Sequence, residues 1–388
     1  MHALYIICRG YVHPKLHYNE TQRQVYLGEK LSSSSCSIQE EEDGKKTSST
    51  TDNFDAGLTL LTIPDACLLT LHTVERDATF GKLLFQVVHS LRRSNNVHDD
   101  DTGSCGGLYN DEQDVMLALY LAYLRQRLDD HEQQHDDDTV NNKEEATTSS
   151  SLSTPPWLFY KPYLDTLPSS SECHLPRQWS MATLKRCLHG TSLYNRLLKE
   201  QSGLLREYEL VKVAWLEKYN STHDDEEDET CTTTTTNNAN NNNIFPSFEQ
   251  YDSMMATLTS RGFCNFGYDN VDALIPMLDL LNHVRGSISS DTILNEDGKE
   301  GSERSSITTG PDVRYERFDD INMNADVLPS PKRQRMERAG SGGGVRVSTS
   351  HSISTGSALQ MTYGAKGNVA LLGRYGFCIP NNVEPDGE

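Results

Sequence analysis

A mixed α+β fold is the class this sequence predicts, with short strands toward both ends of the chain and a helical block between them. Three observations predict it. Apolar runs punctuated by Pro and Gly occur at 56–73 and again at 345–377. Apolar residues at helical spacing fill much of 110–270. Between these blocks lie stretches too polar to repay the entropy of ordering them.

The elements follow in order. "AGLTLLTIPDACLLTLHT" predicts a strand, a Pro-marked turn and a second apolar run. "DEQDVMLALYLAYLRQRL" predicts a helix: Val115, Leu117, Ala118, Leu121, Leu124 and Leu128 repeat at helical spacing behind acidic residues that suit a helix start. "WLFYKPYLDTLP" is aromatic and Pro-bounded. "SMATLKRCLHGTSLYNRLLKEQSGLLREYELVKVAWLEKY" alternates helical pattern with Gly breaks. "FPSFEQYDSMMATLTSRGF" predicts a helix capped by Ser247, with Glu249 close behind. The last block, "VRVSTSHSISTGSALQMTYGAKGNVALLGRYGF", predicts short strands around Gly356, a helix and a strand-like end.

Composition narrows the domain count. The 388 residues suffice for two domains, but only 36% are hydrophobic and the mean hydropathy is -0.60. The sequence therefore predicts an N-terminal segment at 1–54, partly disordered from 32 to 53, and one composite domain at 55–388. That domain has a helical insert at 110–270 and disordered insertions at 95–107, 129–156, 223–243 and 286–344. Looping them out costs little, because closure entropy grows slowly with length.

The formal net charge of -21 sits largely in runs such as "DDEEDE" at Asp224–Glu229, which repel themselves and stay solvated. No basic stripe suggests a nucleic-acid partner. The nine cysteines form no C-x-x-C pair, which argues against a zinc cluster or disulfide framework and for a reducing, intracellular compartment, cytoplasmic or nuclear. No metal site is expected. No apolar run approaches the roughly 20 residues that span a bilayer, and no signal peptide is evident. "PSPKRQRMER" at Pro329–Arg338 is either a nuclear-import patch beside a Ser-Pro phosphosite or a basic patch in a solvated loop.

One segment resists a purely structural account. "LIPMLDLLNH", Leu274 to His283, is apolar for most of its length yet carries Asp279 and stops on Asn282-His283. A buried carboxylate is costly unless something satisfies it. Alone, the segment also reads as a buried helix ending on Asn. Downstream, "MTYG" sets Tyr363 at a strand end, and a helix-like "KGNVALLGR" joins it to Tyr375-Gly376-Phe377. Two such Tyr-Gly pairs behind an Asp-x-x-Asn-His run form a more specific pattern than either alone.

These two motifs together resemble the SET-domain protein methyltransferases, in the subgroup of the Rubisco large-subunit lysine methyltransferase and the actin-histidine methyltransferase. Other blocks agree in order: "LTLLTIP", "FYKPYLDTLP", "HLPRQWSMATLKRCLHGTSL" and "TSRGF". The resemblance covers most of Asp55–Asp386. It implies a SET-type β fold of short strands, a pseudoknot-like C-terminal threading and an inserted helical subdomain. It also implies transfer of a methyl group from S-adenosyl-L-methionine to a lysine of a non-histone protein substrate, with neither nucleic acid nor membrane as partner.

By that likeness Tyr363 is the catalytic tyrosine. Arg261 pairs the cofactor's carboxylate, a charge-assisted contact. Asn282 and His283 bind the cofactor, with Asp279 at the same end. Tyr375, Gly376 and Phe377 wall the cofactor, and Tyr375 also faces the lysine channel. Phe263 lines that channel as in the lysine-specific members, which favours lysine over histidine. Alone, Arg261 reads as a surface arginine at a helix end and Phe263 as core.

The sequence departs from the family pattern in two places. Where relatives carry a Gly-x-Gly loop before the "LTLLTIP" strand, "RQVYLGEKL" holds one glycine ahead of a low-complexity stretch. Relatives also continue past "NNVEPDGE" into a helical substrate-docking domain, which is expected to be absent here. Both departures suit an alternative: a catalytically weak SET-fold module that binds a partner segment without turnover.

Overall fold

The computed structural model describes residues 10–19, 24–28, 53–95, 108, 110–138, 154–169, 172, 175–223, 244–266, 271–284, 311–318 and 343–382. Of the stretches expected to be disordered, 32–52, 96–107, 139–153, 224–243, 286–310 and 319–342 lie outside the described residues, apart from no more than their edges. The Pro329–Arg338 patch lies there too.

The chain opens with β1 (Tyr11–Val12), β2 (Leu16–Asn19), β3 (Gln24–Leu27), β4 (Asn53–Phe54), β5 (Thr59–Pro64) and β6 (Leu69–Thr70). The helical block holds α1 (Leu71–Arg76), α2 (Gly81–Asn95), α3 (Glu112–Asp138), α4 (Pro156–Leu164), α5 (Met181–Leu188), α6 (Ser192–His223) and α7 (Phe248–Arg261). Strands then return as β7 (Phe263–Phe266), β8 (Val271–Leu274), β9 (Asn282–His283), β10 (Val313–Phe318), β11 (Gly344–Thr349), β12 (Ile353–Ser354), β13 (Ser357–Ala358) and β14 (Gln360–Met361). The last helix is α8 (Asn368–Tyr375).

Small sheets knit the two ends of the chain together. One has the order β1-β5-β11-β10; the other antiparallel sheets have the orders β12-β4, β13-β3-β2 and β6-β8-β7. These pairs are antiparallel, whereas β14 runs parallel to β9, with Gln360 opposite Asn282 and Met361 opposite His283. The C-terminal chain thereby passes beside the end of the Leu274–His283 segment. The architecture is α+β, short strands with a helical subdomain inserted between β6 and β7.

Three expectations are corrected. The 1–54 segment does not stand apart, because β1, β3 and β4 each pair with a strand of the main domain, β5, β13 and β12 in turn, and backbone donors there gain partners by pairing. Within 286–344, Val313–Phe318 forms β10 on β11, with Val313 and Phe318 buried. Within 129–156, α3 continues to Asp138. Short apolar content inside polar sequence was the signal; sheet partners and a helix already under way stabilise what composition alone disfavours.

The helix α3 also differs from a simple amphipathic one. Every residue from Val115 to Leu124 is buried, because α1, α2, α4, α7 and β8 all pack around it. A helix enclosed on all sides needs apolar residues on all sides. Truncating Leu117, Leu119 or Leu121 to Ala there is expected to cost about 2–5 kcal/mol.

Two details aim elements at the C-terminal strands. Gly190, at φ +86, ends the chain run between α5 and α6, a conformation suited to glycine, whereas Gly203 sits inside α6 and breaks nothing. A satellite core of Leu184, Leu188, Leu193 and Leu197 then receives Val369 and Leu372. It seats α8, the helix that ends on Tyr375.

Candidate functional site

The Leu274–His283 segment is built to present its polar groups at one end. Ile275, Leu278, Leu280 and Leu281 are buried. Met277 adopts φ 70 and ψ -35, rare for a residue with a side chain, and turns the chain into a 3-10 turn at Leu278–Leu280. The chain leaves this turn as β9, and the Val284 amide donates to the Met361 carbonyl at 2.8 Å.

That pairing delivers Tyr363. Its amide donates to His283 Nδ1 at 3.0 Å, and its hydroxyl donates to the Leu281 carbonyl at 2.9 Å. Its ring stacks with His283 at 4.9 Å and with Tyr375 at 4.7 Å. Phe377 closes the group, 6.1 Å from His283 and 6.2 Å from Tyr375. Gly376 caps α8 in the left-handed conformation at φ 79, its amide donating to Leu372. Asn368 fastens the following chain, accepting from the Ile379 amide at 2.9 Å and donating to its carbonyl at 3.0 Å.

A second group lies at the end of α7. Arg261 Nη1 is 3.4 Å from Asp279 Oδ2, and the Tyr163 hydroxyl donates to the same oxygen at 2.8 Å. The Asp279 side chain is 0% exposed, and its Oδ1 has no hydrogen-bond partner among the described residues. Gly262 lets the chain leave the helix, since a Cβ there would lie 2.5 Å from the Leu258 carbonyl oxygen. Phe263 then begins β7 and meets Tyr315 of β10 edge-to-face at 5.5 Å.

Electrostatics tie the groups together. Burial raises the Tyr363 hydroxyl to about 12; the nearby Tyr375 and Asp279 add to this, while Arg261 opposes it. Tyr363 therefore keeps its proton at neutral pH. Burial, and then the Lys366 charge, lower the pKa of His283, which leaves a neutral imidazole whose Nδ1 lone pair accepts the Tyr363 amide. Burial raises the Asp279 carboxyl, against the pull of Arg261 and Tyr163. Burial opposes the charge on Arg261, and Asp279 and Tyr163 more than offset that.

The structure thus gathers Tyr363, His283, Tyr375 and Phe377 into one ring cluster, with Gly376 as the turn that aims Phe377. Asn282 lies in β9 opposite Gln360. Arg261 and Asp279 form a pair close enough to act on Tyr363, and Phe263 contacts Tyr315 instead of the ring cluster. Asp279 is fully buried, with its Oδ2 held by Arg261 and Tyr163. Tyr163 and the Leu281 carbonyl are the partners sequence reasoning missed. The only trace of the first was a tyrosine inside the Pro-bounded aromatic block, where a buried hydroxyl needs an acceptor; a backbone carbonyl leaves no trace in sequence.

The single glycine of "RQVYLGEKL" has a clear place. Gly28 has φ +147, and a Cβ on it would lie 2.7 Å from the Gly356 nitrogen. The Gly356 amide donates to the Leu27 carbonyl at 2.8 Å. The end of β3 therefore packs directly against the turn that leads through β13 and β14 to Tyr363.

Among solved structures the chain is similar to Rubisco LSMT bound to AdoMet, at 13% identity and a TM-score of 0.50, covering 98% of this chain and 55% of that one. It is also similar to the SET domain of LSMT bound to lysine and AdoHcy, at 12% identity and a TM-score of 0.49, covering 98% and 56%. The chain spans about half the length of the structures it matches. No protein-family model matches it, and no curated protein does so. The first likeness establishes the fold as SET-type. No described helix is long and apolar enough to cross a membrane.

Proposed function

We propose that this chain is an S-adenosylmethionine-dependent protein-lysine N-methyltransferase acting on a non-histone protein. The observation that carries the reading is the Tyr363 phenol, pinned to the Leu281 carbonyl at 2.9 Å inside a cluster of the His283, Tyr375 and Phe377 rings. The similar Rubisco LSMT structure is a complex with AdoMet, which supports the choice of cofactor.

The donor set fits that cofactor. Its methionine carboxylate calls for a fixed cation, and Arg261 is held in place by Asp279, which in turn accepts from Tyr163. Its positive sulfur calls for ring faces, which Tyr363, Tyr375 and Phe377 supply. Asn282 and His283 would hold it through amide groups at the end of the apolar segment. When bound, it supplies an electrophilic methyl group on a sulfonium.

This chain's residues then have three tasks. The first is alignment: a narrow aromatic wall of Tyr363, Tyr375 and Phe377 confines the amine to one line of approach, and such proximity removes much of the barrier. The second is charge control. A lysine head brought among rings is desolvated, which lowers its pKa and favours the neutral nucleophile. The third is polarisation: Tyr363 remains a phenol, anchored through its proton, with oxygen lone pairs left for weak C–H···O contact. Proton loss goes to water, since Tyr363 is protonated and His283 Nδ1 already accepts an amide.

Calorimetric titration with S-adenosylmethionine tests the reading, with saturable binding expected. Absence of heat at millimolar cofactor would sink it. Tritiated-methyl transfer to whole-cell extract, with identification of the labelled protein and residue, tests the substrate; label on histones or on histidine would replace this assignment. A second reading, a catalytically weak SET-fold module that binds a partner segment, draws support from Gly28, the one glycine of its loop, which is occupied by packing against Gly356. Cofactor binding without methyl transfer to any protein would favour it.

A further inference from the structure

A cavity of about 500 Å³ opens in the helical subdomain, between α2, α3 and the C-terminal half of α6. It shares no residue with the candidate site. Its volume falls in the roughly 300–1,000 Å³ range of small-molecule sites. The body of the cavity is aromatic: Phe80 stacks on Tyr123 at 4.4 Å with an interplanar angle of 6°, and Trp215 stacks on Tyr219 at 4.9 Å with an angle of 14°. All four rings line it.

Its polar lining has one sign. Lys82 and Arg127 contribute cations, Thr79 and Gln86 contribute neutral polar groups, and no carboxylate among the described residues lines it. In a chain with 56 Asp and Glu against 35 Lys and Arg, a described lining of two cations and no acid runs against the overall balance. Two carboxylates stand close by, Asp130 beside Arg127 and Asp77 beneath Thr79. The Asp77 Oδ1 accepts from the amides of Thr79, Phe80 and Gly81 at the start of α2, and its Oδ2 accepts from Tyr120. Both carboxylates lie outside the lining, whereas Lys82 and Arg127 are part of it.

Two lining residues differ in their surroundings. Trp215 is 1% exposed, and its Nε1–H has no hydrogen-bond partner among the described residues. Arg127 is poised differently: its guanidinium lies over the Trp157 ring at 5.3 Å, and its nearest carboxylate, Asp130, is 3.7 Å away and half-exposed. A planar guanidinium held on a ring and only weakly paired is well placed to receive an anionic group.

We propose that this cavity is a binding site for a small aromatic acid, its ring body among Phe80, Tyr123, Trp215 and Tyr219 and its anionic group toward Arg127 and Lys82. Flat rings match the stacked walls, and a single negative group matches two exposed cations, of which Arg127 is paired with Asp130 at a distant 3.7 Å. The site is independent of methyl transfer and stands whether or not that activity is found.

The test uses the full chain and 8-anilinonaphthalene-1-sulfonate as probe, read by its fluorescence, with 1-naphthoate and the neutral 1-naphthamide as competitors. One saturable site is expected, with naphthoate displacing the probe at least tenfold better than naphthamide. Arg127→Ala is expected to weaken binding at least tenfold and Lys82→Ala at least threefold. Both side chains are exposed, so thermal melts of the two variants should match the parent. Absence of saturable binding at millimolar probe overturns the proposal. So does equal displacement by the neutral amide, or indifference to both substitutions. If one variant fails to fold, the other decides.

Discussion

The Tyr363 hydroxyl donates a hydrogen bond to the carbonyl of Leu281, 82 positions earlier in the chain, at 2.9 Å. The bond holds the phenol at a fixed orientation while the Tyr363 amide binds His283 from the other side. One residue is thus tied to the same short segment through both its backbone and its side chain.

Replacing Tyr363 by Phe removes the hydroxyl and keeps the ring stacking. If the oxygen acts on the transferring group, methyl-transfer turnover should fall about 100-fold or more, of the order seen when one positioned polar group is lost. Cofactor affinity should stay within about threefold, and stability should drop by only about 1 kcal/mol. Single-turnover kinetics beside calorimetry separate these effects; equal loss of turnover and binding would make Tyr363 a structural residue.

The Arg261–Asp279 pair should behave as a unit. Arg261→Met leaves the Asp279 carboxylate buried with only Tyr163 as partner, and is expected to cost about 3–5 kcal/mol. The double variant with Asp279→Asn should recover a good part of that loss, since no buried charge remains. Urea unfolding of the four proteins in the cycle gives the coupling; additive losses would show that the pair does not act as one.

His283 makes stability pH-dependent in a known direction. Its folded pKa lies below 6.5 because of burial and Lys366, so the unfolded chain takes up the proton first as pH falls. Above about 6.5 both states are neutral and no penalty exists. Below it the folded state loses stability until pH passes the depressed folded value. Protonation at Nδ1 also displaces the Tyr363 amide. Thermal melts from pH 7.5 to 5 should show a loss that His283→Gln reduces.

Asp114 pulls the other way. Burial, then Asp272, then Asp111 and Glu207 raise its pKa to about 7. The folded chain therefore holds a proton that the unfolded chain releases near pH 4, and the associated stability is lost as pH rises toward and past about 7. Asp114→Asn should stabilise the protein at pH 8 more than at pH 5. A gap in melting temperature that does not widen with pH would count against this.

Gly28 should tolerate no side chain. Its φ of +147 and the 2.7 Å approach to the Gly356 nitrogen both oppose a Cβ. Gly28→Ala is expected to destabilise by roughly 2–4 kcal/mol. Gly356 has φ +83 but open space around its Cβ direction, so Gly356→Asn should cost much less. Denaturant midpoints distinguish the two.

The candidate site was legible in the sequence to different depths. Tyr363, His283, Tyr375 and Phe377 stood out because two Tyr-Gly pairs followed an Asp-x-x-Asn-His run, and the structure gathers those rings. Asp279 was legible as an anomaly but not as the buried counter-ion of Arg261, because identity does not reveal which way a side chain faces. Tyr163 was hidden, since any buried tyrosine in an aromatic helix looks like core. The strand Val313–Phe318 was hidden too: it owes its order to β11, a partner supplied by chain outside the strand itself.

By itself the sequence determined what local forces decide: the helix α3, the Ser247 cap of α7, the Gly190 stop, and an apolar segment that had to end in polar groups. Only the tertiary structure decided which distant groups meet, placing β14 along β9, Gly28 against Gly356 and Tyr163 on Asp279. The reason is range. Propensity, capping and spacing act within a few residues, whereas strand pairing and the satisfaction of a buried charge are settled by the whole chain when it closes around them.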